Sequence, residues 1–426
     1  MKKYLATVLT LMIFFSFSAV VKAQGIGISL AEIYKNHNDK TMIVSDKGDI
    51  STAPENSLMS IHSAEKAGAD IIKIDVRTTA DGVLILMKDE TVERTCYGYG
   101  ENTVVSEMTY DEIKKLNLLG GEGGYGAKNT TLTVPTLEEV FKDRKMYYLS
   151  SSALHPEEKA LFMLDFDWSI RDEISNLVIQ NKMGNEVIFY IDDTSPDEIA
   201  NWKETLPFEP MIMTYFKGNV IFAATANVKK DAEIAEGIHL ATKNPYGVIF
   251  GKTVQNRAYE SKIRTMASPC NPEICGTIMQ DTEVWWDYLI SAGFNVIMTD
   301  NVAGLKAYLK DCSEKENALE KYFYDNIKSY SLPDFNSDKF FDYKRAYNNA
   351  YDFTLSVLND KSSARSDIVT ARYEIQKAYN DIYANYSELE KGTAGMTVTP
   401  VRILLCIAAA TVVLIAEIYV YKKKKK

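Results

Sequence analysis

The sequence predicts an α/β protein: a closed (β/α)8 TIM barrel, followed by a small helical bundle and a C-terminal transmembrane helix. Three observations carry this. Eight short apolar runs alternate with amphipathic stretches between residues 41 and 310, the pattern of parallel strands joined by helices. That span is about the size such barrels occupy. An open doubly wound sheet would want a glycine-rich phosphate loop after its first strand, and none follows TMIVS at 41–45.

From the N-terminus, MKKYLATVLTLMIFFSFSAVVKA (1–23) sets Lys2 and Lys3 before an apolar run and closes on Val21-Lys22-Ala23. This predicts a secretory signal peptide cleaved after Ala23, with an uncleaved anchor as the alternative. The barrel is assigned to 40–312. Its strand runs are TMIVS (41–45), DIIKIDV (70–76), ALFMLDF (160–166), EVIFYID (186–192), EPMIMTY (209–215), EGIHLA (236–241), SKIRTMA (261–267) and FNVIMTD (294–300). Between them, stretches such as ENSLMSIHSAEKAGA and DEISNLVIQNKMG are apolar at helical spacing and run into glycine, a helix-stop signal. The glycine-rich segment 98–135 is expected to be a surface insertion with a short helix.

After Cys312, Tyr, Asn, Lys and Asp rise and the strand-like runs stop. Residues 316–330, 340–360 and 363–386 show helical periodicity, which predicts a three-helix bundle within 315–390. KGTAGMTVTP (391–400) reads as a linker. The apolar run 401–421 is about long enough to cross a bilayer. The five lysines at 422–426 should stay cytoplasmic by the positive-inside rule. The expectation is therefore a single-pass protein on the extracellular side of the cell membrane, held through its C-terminal helix.

A charged fraction of 25% and a hydrophobic fraction of 46% are those of a folded protein. The net charge of −10 argues against a nucleic-acid partner. Cys406 falls in the apolar run, leaving Cys96, Cys270, Cys275 and Cys312. Cys270 and Cys275 lie in the Pro-containing loop SPCNPEICG and could close a small disulfide, with four free thiols as the near-equal alternative. No histidine falls near these cysteines, which argues against zinc.

Barrel enzymes place reacting groups where strands end and helices begin. Those places hold Asp46 and Lys47, Lys73 and Asp75, Lys88 and Asp89, and Asp165 and Asp167. Residues two apart on a strand share a face, so Lys73 and Asp75 are expected to project together, as are Asp165 and Asp167. Charges inside runs as apolar as DIIKIDV and LFMLDFD are costly unless paired.

Residues 43–141 resemble the glycerophosphodiester phosphodiesterase family. The resemblance is carried by Gly48-Asp49, Ala53-Pro54-Glu55-Asn56-Ser57, Gly68-Ala69-Asp70, Asp75-Val76, Asp81-Gly82, Asp89-Glu90-Thr91, Arg94-Thr95, Gly98 and the run Val134 to Val140. Gly293 and Val296-Ile297-Met298-Thr299-Asp300 fit the last strand, so the match covers about 40–311. The resemblance implies a barrel that cleaves glycerophosphodiesters to an alcohol and glycerol phosphate. Two histidines act as acid and base, and acidic residues hold a divalent cation, calcium or magnesium.

On that pattern Asp46 stands at the first histidine, Lys47 at its arginine neighbour, Lys73 at the glutamate of Glu-x-Asp, and Lys88 at the second histidine. Asp75 and Asp165 remain at metal-ligand positions. Histidine serves both roles because its pKa is about 6.5; aspartate at about 3.9 and lysine at about 10.4 are poorly matched. His37, His62, His155 and His239 lie outside the pattern and are expected to be structural. Two function classes stay open. One is a phosphoric diester hydrolase of lipid or wall-polymer metabolism, using Asp46, Lys47 and Lys88 and a divalent cation. The other, which the substitutions favour, is a cell-surface pseudoenzyme that needs no cofactor. It would bind a glycerophosphodiester or other phosphate-bearing ligand through Lys47, Lys73 and Lys88. The exchange also predicts the Lys73 nitrogen within roughly 4 Å of a carboxylate oxygen of Asp75 or Asp165. The C-terminal helices resemble a FIVAR-type module through Ala346, Ala350, the turn VLNDKSSARSDI, Ala371 and Ala378; a plain helical stalk is the alternative.

Overall fold

Runs rich in Ile, Val and Met make strands that are buried on both faces, the state of a parallel sheet wrapped by helices. The computed structural model describes residues 29–37, 40–150, 159–328, 330, 338–360 and 363–389. Within them each of the eight expected runs forms a strand: β1 Met42–Asp46, β2 Ile71–Thr78, β3 Leu161–Phe166, β4 Val187–Ile191, β5 Met211–Lys217, β6 Gly237–Ala241, β7 Arg264–Ala267 and β8 Val296–Thr299. Each pairs in parallel with its neighbours, and β1 pairs with both β2 and β8, so the barrel closes. A short strand, Leu84–Leu86, adds antiparallel to the far end of β2.

Side chains alternate along each strand, and one parity fills the barrel. Met42 and Val44 of β1, Leu161 and Met163 of β3, and Val296 and Met298 of β8 share one buried cluster with Ile71, Ile188, Tyr190, Met211, Met213 and Met266. Two residues further on, the same interior rows end in Asp46, Asp165 and Asp300, and Ile71 leads to Lys73 and Asp75. The packed floor therefore passes directly into a charged mouth.

The floor is sealed by a helix too short to show a periodic signal in the sequence, Leu30–Lys35. Ser29 and Glu32 form its capping box, and Leu30 and Tyr34 enter the barrel cluster. The buried Arg264 guanidinium ties it down by donating to the carbonyls of Ile33, Tyr34, Asn36, Lys40 and Asn295 at 2.7–3.3 Å. The insertion after β2 is more than a surface loop. Ile85, Met87, Val92, Cys96, Val105, Met108, Ile113, Leu116, Leu118 and Val134 bury one another in a small core of its own. The expected short helix is present at Tyr110–Ile113.

The last barrel helix, Val302–Tyr322, continues through a wider turn over Phe323–Ile327. Residues 316–327 thus extend that helix instead of starting a new one, because neither Pro nor Gly interrupts the chain between Gly304 and Ile327. Two long helices follow, Asp338–Asn359 and Arg365–Leu389. The described residues fall into two compact units. One is the barrel with Asp352–Arg372; the other comprises 338–351 and 373–389. The second buries Tyr347, Ala350, Ile375, Ala378 and Ile382.

The expected signal peptide at 1–23, linker at 391–400, crossing at 401–421 and lysine tail at 422–426 lie outside the described residues. Among those described, no helix is long and apolar enough to cross a membrane. The expected single-pass placement, with anchoring through a C-terminal helix, is corrected on that finding. Cys96, Cys270, Cys275 and Cys312 are free thiols, so the Cys270–Cys275 bridge does not form.

Candidate active site

The mouth is shaped by the turn after β1. Lys47 adopts the left-handed conformation (φ 59°) and Gly48 follows at φ 83°, the region that favours glycine. A Cβ at Gly48 would lie 2.5 Å from Ser60 Oγ, so only glycine lets the turn seat on the next helix. The Lys47 amide donates to the Lys73 carbonyl at 2.9 Å, which docks the turn on β2. Asn56, also left-handed at φ 55°, grips Asp75 twice. Its Nδ2 donates to Asp75 Oδ2 at 3.0 Å and its Oδ1 accepts from the Asp75 amide at 3.1 Å.

Asp75 and Asp165 face each other in register across β2 and β3. Lys73 Nζ lies 2.7 Å from Asp75 Oδ1, 2.8 Å from Asp165 Oδ2 and 3.5 Å from Asp46 Oδ1. The ion pair expected from the sequence is therefore formed, with both carboxylates at once. Lys88 closes the other side, its Nζ 3.1 Å from Asp75 Oδ1 and 3.0 Å from Asp165 Oδ2. Lys73 is buried, whereas 47% of the Lys88 side chain is exposed. Burial works against the charge of Lys73, but Asp165, Asp75 and Asp46 outweigh it and hold its pKa well above the usual lysine value. Burial would likewise raise Asp75, but Lys73, Lys88 and the Asn56 bond hold it well below the usual carboxylate range. For Lys88, burial and Lys73 oppose the charge, and Asp75 and Asp165 prevail.

Lys47 belongs to a second cluster. Its Nζ lies 2.9 Å from Glu122, 3.6 Å from Glu55 and 3.8 Å from Asp46. Arg94 holds Glu55 in two bonds at 2.9 and 2.7 Å and also pairs with Asp89. Asp167 does not join the site. The strand ends at Phe166, and the Asp167 carboxylate instead accepts from the Ser169 amide at 2.8 Å. Asp300 is a mouth residue that sequence reasoning did not select. Burial first, and then Asp46, push its carboxyl up to about 7, and its buried Oδ1 has no hydrogen-bond partner among the described residues. The signal was available: Asp300 continues the Val296–Met298 interior row of β8. His239, expected to be structural, is held by two hydrogen bonds inside the barrel. It is fully buried, with Nδ1 2.9 Å from Tyr190 Oη and Nε2 2.8 Å from Ser268 Oγ.

The model of the glycerophosphoryl diester phosphodiesterase family matches residues 47–303, more than half of the 426-residue chain. The chain belongs to this family. Glycerophosphodiester phosphodiesterase of Caldanaerobacter subterraneus is 40% identical over 105 residues, 24% of this chain and 40% of that protein. Its namesake in Bacillus subtilis is 35% identical over 123 residues, 27% of this chain and 41% of that protein. Each alignment thus spans less than half of the relative's length. A glycerophosphoryl diester phosphodiesterase from Parabacteroides distasonis shares the fold, with a TM-score of 0.51 at 19% identity over 66% of this chain and 92% of that one.

Members of the glycerophosphoryl diester phosphodiesterase family typically use a divalent cation, and the residues here do not fit one. Hard cations want several oxygen ligands. Asp75 Oδ1 and Asp165 Oδ2 both turn to the Lys73 ammonium, and the same two oxygens take Lys88. Among the described residues no group of three His, Cys, Asp or Glu side chains is arranged to hold a metal.

Proposed function

We propose that this glycerophosphoryl diester phosphodiesterase-family barrel keeps ligand recognition at its mouth without the family's cation-assisted hydrolysis. Its ligand is a glycerophosphodiester or another phosphate-bearing glycerol derivative. The observation that carries this reading is the Lys73 nitrogen, within 2.8 Å of both Asp75 and Asp165. A tethered ammonium neutralises the carboxylates that would otherwise turn to a cation. Asp46 and Lys88 stand at the positions of the family's acid and base, and neither residue type both gives and takes a proton near neutrality. Lys88, charged and half-exposed, is the ammonium best placed to meet a phosphate from solvent. Lys47 supplies a second one on the β1 side, as a lysine offers a compact charge to such a group.

The test assays the purified protein on glycerophosphocholine with calcium, with magnesium and with a chelator. Choline release should stay at background in all three. Calorimetric titration with sn-glycerol 3-phosphate should give a binding isotherm that Lys88→Ala weakens. Turnover that a chelator abolishes overturns the reading.

Asp300 favours a second reading, hydrolysis through a rearranged site. A carboxyl raised to about 7 beside Asp46 is suited to donate a proton near neutrality. Chelator-insensitive turnover that Asp300→Asn removes would select this alternative.

A further inference from the structure

The loop 120–128 lies against the mouth, and its backbone is seated rather than free. Gly121 accepts from the Glu55 amide at 2.9 Å, and the Gly124 amide donates to the Arg94 carbonyl at 2.6 Å. The Glu122 carbonyl accepts from Arg94 Nη1. Gly123 sits at φ 72°, and a Cβ there would collide with the Arg94 carbonyl. Glycine therefore lets this loop press onto Arg94, and lifting it would break all three bonds. The Glu122 side chain is a different matter: it is 57% exposed and reaches Lys47 through one bond of 2.9 Å.

Lys47 faces three carboxylates, and two of them have a second cation. Glu55 is held by Arg94 in two bonds. Asp46 lies 3.5 Å from Lys73. Among the described residues Lys47 is the one cation within 4 Å of the Glu122 carboxylate, with the Arg94 charge acting on it from further off. That exposed carboxylate is thus the group that an external anion can replace while every other pair at the mouth stays intact. The Lys47 hydrogen bond, helped by the charges of Lys47 and Arg94, outweighs burial and holds the Glu122 carboxyl below its ordinary value, so it is ionised at neutral pH.

We infer that Glu122 is a built-in competitor for the phosphate site: its carboxylate occupies Lys47 in the free protein and swings into solvent when a phosphate group takes that ammonium. The inference rests on the proposed reading that the mouth binds a phosphate-bearing ligand. It assigns Glu122 a role in setting affinity, through a rotation of one side chain over a fixed backbone.

The test is calorimetric titration of the full chain with inorganic phosphate and with sn-glycerol 3-phosphate, at low ionic strength. The parent is compared with Glu122→Gln, which removes the charge, and Glu122→Asp, which keeps the charge but draws it back from Lys47. Melting curves check that these surface variants stay folded. Both variants should bind phosphate more tightly, Glu122→Gln by about two- to fivefold, the factor that a partly exposed ion pair represents. Tightening with inorganic phosphate as well as the glycerol ester shows that the phosphate group is what competes. Equal affinities in all three proteins, or weaker binding by Glu122→Gln, overturn the inference and leave the proposed function standing. Binding by none of them removes the proposed function, and the inference with it.

Discussion

At the scale of single residues, Lys73 decides what the mouth can do. It shares one buried position with Asp75 and Asp165, and removing one partner of a buried pair leaves the others uncompensated, at a cost of about 3–5 kcal/mol. Lys73→Ala should therefore lower the urea midpoint sharply; a variant that unfolds like the parent would show the contact to be incidental. The buried His239 and the partly buried Asp300 pull the pH dependence in opposite directions. Burial, and then Lys73, lower His239 to about 3. The unfolded state then binds more protons between that value and about 6.5, and stability is lost as pH falls through this window. Asp300, raised to about 7, binds more protons when folded, so it contributes stability below its unfolded value that is lost as pH rises towards 7. Urea midpoints measured from about pH 4 to 8 should show His239→Gln flattening the acid limb and Asp300→Asn gaining on the parent as pH rises. Much of this site was legible in the sequence, because strand parity alone puts Lys73 with Asp75 and aims Asp46 and Asp165 inward. The pairing of Lys47 with Glu122 was not, since the two are brought together by loops distant in sequence. Asp167 misled because the strand stops one residue before it.

At the scale of elements, the eight strands could be read from sequence because strands buried on both faces appear as unbroken apolar runs. The floor helix Leu30–Lys35 could not. Six residues are too few for a periodic signal, and what holds them is Arg264, more than 220 positions along the chain. The satellite core of the insertion was hidden in the same way, its apolar residues scattered among glycines and turns without a period. Arg264 makes the helix a tethered element rather than an independent one. Hydrogen bonds to a charged group contribute about 1.5–3 kcal/mol each, so Arg264→Met should destabilise the barrel by more than about 3 kcal/mol. The distinguishing measurement is amide exchange: residues 30–36 should lose protection in the variant before the strands do. If their exchange matches the parent's, the helix is held by Leu30 and Tyr34 packing alone.

At the scale of the whole molecule, the tethered ammonium changes what the barrel requires from solution. A fold whose central carboxylates are neutralised by a bound ion gains stability as the ion is added, about 2.7 kcal/mol at a hundredfold excess over Kd. For a domain of this size that corresponds to roughly 5–10 °C in Tm. In this chain the neutralising charge travels with the backbone, on Lys73 and Lys88, and is present whether or not a cation is available. Melting curves of the parent in chelator and in millimolar calcium or magnesium should therefore coincide to within about 1 °C, well below the shift that ion binding produces. Lys73→Glu reverses the sign of that position and leaves three carboxylates with Lys88 as their nearest cation. It should melt lower than the parent in chelator and recover when calcium or magnesium is added. A parent protein that is itself stabilised by calcium would mean that oxygen ligands reach a cation despite Lys73, and the pseudoenzyme reading would fall with it.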